Sequence, residues 1–132
     1  MKLASFSDAA AITYQQERIA HWDTIARKRT SWRGMGRWYH RRLREIYSFH
    51  VSPNRNVLEL GCAEGDLLAA LKPARGVGVD FSEEMICRAR QLHPDLGFIV
   101  ADAHDLSGLD EKFDVIILAD LVNDLWDVQR VF

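Results

Sequence analysis

The residues with the most chemical content lie between positions 59 and 80. Glu59-Leu60-Gly61-Cys62-Ala63-Glu64-Gly65-Asp66 places two glycines four apart, directly after a short apolar run. At a strand-to-helix turn, glycines let the backbone pass close to a bound molecule. Tight turns need glycine in any case, so the loop alone is a weak signal. Asp80 strengthens it, standing nineteen residues past Gly61 at the end of a second apolar run. An acidic side chain at that place accepts hydrogen bonds from a ribose diol. Together the loop and the acid imply a nucleoside-containing ligand.

A dinucleotide site would carry Gly-x-Gly-x-x-Gly, with the pyrophosphate resting on a helix N-terminus. Here Ala63 replaces the second glycine, position 66 is Asp, and Glu64 adds further negative charge. Two acids repel a pyrophosphate but tolerate a ligand with no phosphate and a positive centre. S-adenosylmethionine, with its sulfonium, ammonium and ribose diol, is such a ligand. A dinucleotide-binding oxidoreductase domain stands as the alternative.

The elements that position these residues follow from hydrophobic spacing. A turn cluster at Ser52-Pro53-Asn54 separates two styles of sequence. Before it, Ile12, Ile19, Trp22 and Ala26 recur at helical spacing, with Ser7 or Asp8 as N-cap. A link containing Gly34 and Gly36 leads to a second helix with an apolar stripe of Tyr39, Leu43, Ile46 and Tyr47. Arg37, Arg41 and Arg44 share another, solvent-facing side of it. After Pro53, strands at Asn56 to Leu60, Gly76 to Asp80, Gly97 to Ala101 and Phe113 to Ala119 alternate with helices. Those helices run from Glu64 to Leu71 and from Ser82, their cap residue, through Met85, Ile86, Ala89 and Leu92. From about Asp124 the chain reads as helix again. Nearly continuous apolar strands, each followed by a helix, predict a doubly wound α/β domain whose parallel sheet is covered on both faces. Ligands bind such sheets at the carboxyl ends of the strands, where strand order reverses.

Residues 56–127 resemble a class I S-adenosylmethionine-dependent methyltransferase. The matching segments are Val57 to Gly65, Gly78-Val79-Asp80-Phe81-Ser82, Val100-Ala101-Asp102-Ala103 and Phe113 to Leu118, in the family's order and at its spacings. The resemblance implies a Rossmann-like sheet of order 3-2-1-4 with the later strands of the seven-stranded fold missing, preceded by two N-terminal helices. It divides the chain into a helical extension, 1–52, and a partial cofactor-binding domain, 53–132. By the same resemblance Glu59 and the loop Gly61, Cys62, Ala63 and Gly65 hold the methionine portion, and Asp80 the ribose hydroxyls. Phe81 packs on the adenine, Asp102 accepts from its exocyclic amine, and the Ala103 backbone completes that edge. The carbonyls near Ala119 and Asp120 face the ligand's amino group. The departure from the family pattern is Ala63, where glycine is usual.

Enzymes of this superfamily that methylate nucleobase amines typically carry an Asn/Asp-Pro-Pro-aromatic run after strand four. This chain reads Ala119-Asp120-Leu121-Val122-Asn123-Asp124 there, which argues against nucleobase amines, and a small-molecule acceptor is the expectation. Asp120, Asn123 and Asp124 are placed either to orient an acceptor hydroxyl or to cap a helix. The N-terminal helices are expected over the ligand mouth. Their Trp22, Trp32, Trp38 and Tyr39, interleaved with arginines, would suit a nucleic acid or acidic partner, although such aromatics more often pack helices onto a sheet. A non-catalytic binding module of that kind is the third alternative.

Composition bounds the rest. The chain has 132 residues, 48% hydrophobic and 27% charged, with a formal charge of −2. That charge conceals a balance of +6 over residues 1–50 and −7 over residues 95–132. The halves either attract each other or present the basic part to an anion. No apolar run approaches the roughly 20 residues that cross a bilayer. Cys62 and Cys87 have no metal-ligand spacing and read as small buried hydrophobes, and none of the five histidines suggests a metal site. A cytoplasmic, reduced setting without a membrane is the expectation. With no fifth strand, the edge of strand four is expected to self-associate or to be covered by a terminal helix, and this part alone to be inactive. The Trp126-Asp127-Val128-Gln129 stretch also resembles methyltransferase domains fused to a glycosyltransferase.

Overall fold

Apolar residues at 57, 58 and 60, and again at 77 and 79, are too closely spaced for one helix face and are buried on the two sides of a sheet. The computed structural model, which describes residues 8–28 and 35–132, has that arrangement. Strands β1 (Asn56–Leu60), β2 (Arg75–Asp80), β3 (Gly97–Val100) and β4 (Val115–Ile117) form one parallel sheet of order β3-β2-β1-β4. Val57 pairs with Gly76 on one side and Val115 on the other, so β1 lies inside the sheet and the strand order reverses beside it. The predicted order is therefore observed. The strand predicted from Phe113 to Ala119 shortens to three residues, because β1 offers it a ladder only from Val57 to Glu59.

Side-chain alternation divides the core in two. Val57, Phe98 and Ile117 face helices α3 (Asp66–Ala70) and α4 (Glu83–Leu92), against Leu68, Leu71, Ile86 and Ala89. Leu58, Leu60, Val77 and Val79 face the opposite way. On the helix side β2 presents Gly76 and Gly78, with Asp80 at its tip. A Cβ at Gly76 would come within 2.7 Å of Pro73, and one at Gly78 within 2.7 Å of Cys62 Sγ and 2.8 Å of Phe98. Those glycines allow the helices and Phe98 to close onto the sheet.

The other face departs from expectation. No helix follows β3; residues 101–114 form a turn-rich connection, with Asp105 N–H donating to Asp102 O and Leu109 N–H to Leu106 O. Asp, Ser and Gly between 102 and 110 favour such turns over helix. Leu106, Leu109 and Phe113 nevertheless cover Leu58 and Val77 from that side. Ser82 caps α4 as predicted, its Oγ accepting from Met85 N–H at 3.2 Å. Leu92, expected inward, is 55% exposed, and Cys87 is exposed rather than buried.

Helix α1 (Asp8–Lys28) packs on α4, and α2 (Met35–His50) on α3. The expected cap Ser7, the linker glycine Gly34 and the mouth aromatic Trp32 fall outside the described residues, while Asp8 is the first residue of α1 and Gly36 lies inside α2. Arg44 is half-buried rather than solvent-facing. A turn (Val122–Asp124) and a short helix α5 (Val128–Val131) follow β4. No helix among the described residues is long and apolar enough to cross a membrane.

Because Gly78 has no room for a methyl group, Gly78→Ala is expected to lower unfolding free energy by about 1–3 kcal/mol. Phe98→Leu in the same chain should recover part of that loss. Urea unfolding of the single and double variants measures both; equal stability of Gly78→Ala and wild type would refute the packing account.

Candidate functional site

The loop after β1 is held by the tip of β2. Gly61 and Cys62 N–H both donate to Val79 O, at 2.8 and 3.1 Å. Asp80 then takes two backbone donors, Ala63 N–H on Oδ2 and Ser82 N–H on Oδ1, each at 2.9 Å. Both oxygens keep a second lone pair for a hydroxyl donor. Gly61 and Gly65 have φ of +72° and +79°, and Ala63 adopts +47°. A non-glycine residue in that region costs about 1 kcal/mol, so the family departure at Ala63 carries backbone strain as well as a methyl group. Cβ atoms at the two glycines would meet Leu121 at 3.0 Å and Phe98 at 2.6 Å. The positive φ at both positions, and the packing of Phe98 at Gly65, therefore already favour glycine independently of any ligand.

Glu59 is the electrostatic centre. It is 3% exposed at the end of β1 and accepts a hydrogen bond from Leu68 N–H, while Oε2 has no partner among the described residues. Burial pushes its carboxyl up to about 8, with the nearby Asp80 and Asp66 adding to the rise against the Leu68 bond. Burial also raises Asp80, opposed by its bonds to Ser82 and Ala63. The Cys62 thiol is pushed up by burial and then by Glu59, which keeps it protonated. Glu64, expected to repel a pyrophosphate, pairs with Arg88 at 2.7 Å, and Asp66 with His93 at 2.9 Å.

The N-terminal helices close the mouth, as expected. Arg18 donates to both oxygens of Asp124 at 2.8 Å, Trp22 Nε1 adds a bond at 3.2 Å, and Tyr14 OH donates to Asp124 O. Asp23 bonds Ser82 Oγ, and Gln15 Nε2 donates to Asp102 Oδ2 at 2.6 Å. From α2, Tyr39 OH donates to the Asp120 carboxylate at 2.7 Å, which raises the phenol's pKa. Asp120 holds a φ of +57° while accepting it. Part of the charge asymmetry is thus satisfied inside the fold. Asp124 serves as an anchor for α1 while lining the cleft.

Between these parts lies a cleft of about 1680 Å³. Of the cofactor-site residues expected from sequence, all line it except Gly65, which packs against Phe98 instead; of the expected acceptor-side residues, Asp120 and Asp124 line it and Asn123 does not. Gln15, Arg18 and His104 also line it and were not singled out, and Tyr39, expected as an apolar-stripe and mouth residue, lines it as a hydrogen-bond donor to Asp120. Gln15 and Arg18 share one stripe of α1 with Trp22 and Ala26, at spacings of three, four and four, so two polar residues on a sheet-facing stripe were the available signal. Nothing local marks His104. No metal-ligating cluster occurs among the described residues.

The fold and the acid-bordered glycine loop at the strand-order reversal define a nucleoside-binding α/β domain. The methyltransferase-domain family profile matches residues 57–132, and the chain belongs to that family, the class I S-adenosylmethionine-dependent methyltransferases. A probable S-adenosylmethionine-dependent methyltransferase of Mycobacterium tuberculosis is 32% identical over 79 residues, 58% of this chain and 28% of that protein. The chain spans under a third of the length of the curated relatives it matches. The N-methyltransferase NodS of Bradyrhizobium japonicum, solved with S-adenosyl-L-homocysteine, matches 73% of this chain and 50% of its own at 27% identity and a TM-score of 0.60. The magnesium protoporphyrin IX methyltransferase of Synechocystis shares the fold at 18% identity and a TM-score of 0.69, over 83% of this chain and 59% of that one.

Glu59 has a definite signature. Its folded carboxyl binds a proton more tightly than the unfolded one, so its contribution favours the folded state at low pH. That contribution is lost as pH rises from about 4.3, the unfolded value, through about 8. Glu59→Gln should therefore gain stability over wild type by a few kcal/mol between pH 5 and pH 8. Parallel melting curves across that range would show instead that Glu59 is not buried as a carboxylic acid.

Proposed function

We propose that this chain is the cofactor-binding part of an S-adenosylmethionine-dependent methyltransferase acting on a small-molecule acceptor. The observation that carries the reading is the unpartnered, buried Oε2 of Glu59 beside the Gly61–Gly65 turn and the Asp80 carboxylate. A buried acid with one free oxygen suits an ammonium group, and an acid at the tip of β2 suits a diol. Glu59 with Gly61, Cys62 and Ala63 would hold the methionine portion, and Asp80 the ribose. Phe81, Asp102 and Ala103 would take the adenine, and the backbone at Ala119 and Asp120 the amino group. S-adenosylmethionine, when bound, supplies a methyl group already activated on a sulfonium.

The protein's own contribution is alignment of an acceptor with that methyl group, and removal of a proton only if the acceptor carries one. Asp120, held by Tyr39, is the carboxylate on the acceptor side. The absence of an Asn/Asp-Pro-Pro-aromatic run supports a small molecule over a nucleobase. Asp66 at the start of α3 supports a phosphate-free ligand over a dinucleotide.

Calorimetry tests this reading. S-adenosylhomocysteine should bind, and NAD and a short oligonucleotide should not. An ammonium against Glu59 lowers a carboxyl that otherwise titrates at about 8, so binding at pH 7 should release close to one proton. Heats measured in two buffers of different ionisation enthalpy count it. Asp80→Asn should weaken binding by about 1–3 kcal/mol. Tighter binding of NAD, or no proton release, would overturn the assignment.

β4 is an edge of this sheet, with Ile116 56% exposed, and such edges pair with other chains. Self-association of the 132-residue chain is expected in sedimentation; a strict monomer at high concentration would count against it.

A further inference from the structure

We propose that Gln15 of α1 reads the exocyclic amine of the purine together with Asp102. The proposal rests on the assignment of Asp102 to the adenine edge. Asp102 is a crowded acceptor. Its Oδ1 takes both His104 N–H, at 2.8 Å, and His104 Nδ1. The His104 ring is fixed in turn, because its Nε2 accepts from Asp127 N–H at 3.1 Å, leaving the proton on Nδ1. Its Oδ2 takes Gln15 Nε2 at 2.6 Å. A carboxylate offers about four lone-pair sites, so three donors leave one, on Oδ2.

That remaining site stands beside the Gln15 amide. Gln15 must present its nitrogen to Asp102, because a carboxylate accepts only. Its carbonyl oxygen is thereby held next to Oδ2 and has no donor among the described residues. Asp102 and Gln15 both line the cleft. Two adjacent acceptors match the two hydrogens of an amine and oppose the carbonyl of an oxo-purine. Gln15 thus acts in two ways: it fixes the direction of Oδ2, and its own oxygen accepts the second amine hydrogen. The specificity for adenine then comes partly from the helical extension rather than from the sheet alone.

The test compares S-adenosylhomocysteine with S-inosylhomocysteine, in which an oxygen replaces the amine, by calorimetry on the full 132-residue chain. Wild type should prefer the adenosyl ligand by about tenfold or more. Gln15→Leu should weaken the adenosyl ligand about tenfold and leave the inosyl ligand within about twofold, collapsing the preference. Equal weakening of both ligands would reduce Gln15 to a support of α1 and overturn the proposal, as would an unchanged adenosyl affinity. Asp102→Asn separates the two levels. If it leaves the adenosyl affinity intact, the adenine assignment fails, and the proposal with it. If it weakens that affinity while Gln15→Leu does not, only the proposal fails. The side-chain amide resonances of Gln15 give an independent readout. They should shift with the adenosyl ligand and not with the inosyl one, and identical shifts with both would refute the pairing.

Discussion

The Asp80 carboxylate joins the two central strands to everything built on them. It lies at the tip of β2, accepts the Ala63 N–H from the loop after β1, and accepts the Ser82 N–H that opens α4. Ser82 in turn caps α4 with its hydroxyl and bonds Asp23 of α1. One buried acid thus sets the spacing between the glycine loop, the fourth helix and the helical extension. Burial raises its pKa, and the two backbone bonds are what keep an anion tolerable there.

Glu59 shows the opposite balance. It is as buried as the apolar residues around it, yet only one of its oxygens is satisfied by the protein. A hydrophobic residue at the end of β1 would fold more easily. An acid with an unfilled oxygen is a cost to the fold, and it is the cost that the proposed ligand would offset.

Helix α1 is attached by polar contacts rather than by a deep apolar stripe. Ala26 is fully buried, but Gln15, Arg18, Trp22 and Asp23 each reach a carboxyl-end residue by hydrogen bond. Arg88 adds a bridge, donating to Ala26 O at 2.7 Å while pairing with Glu64. The extension consequently borders the same cleft as the sheet. Its basic residues meet acids from the last third of the chain, as between Arg18 and Asp124.

The sequence by itself determined the strands of a parallel α/β sheet, the glycine loop and the cap of α4, because these rest on local patterns, while the strand order was legible only through the family resemblance. Val57 to Leu60 and Val77 to Asp80 are short apolar runs of fixed period, Gly61 and Gly65 sit where φ must be positive, and Ser82 is a cap with its acids in place. Only the tertiary structure decided the rest. It replaced the helix expected after β3 with a turn-rich cover, made Asp124 an anchor for α1, and left Leu92 and Cys87 outside the core. It also brought Gln15 to Asp102 across 87 positions and Tyr39 to Asp120 across 81. Periodicity records which side of an element is buried; it does not record which element will lie opposite. A polar side chain shows its role only when its partner arrives from elsewhere in the chain.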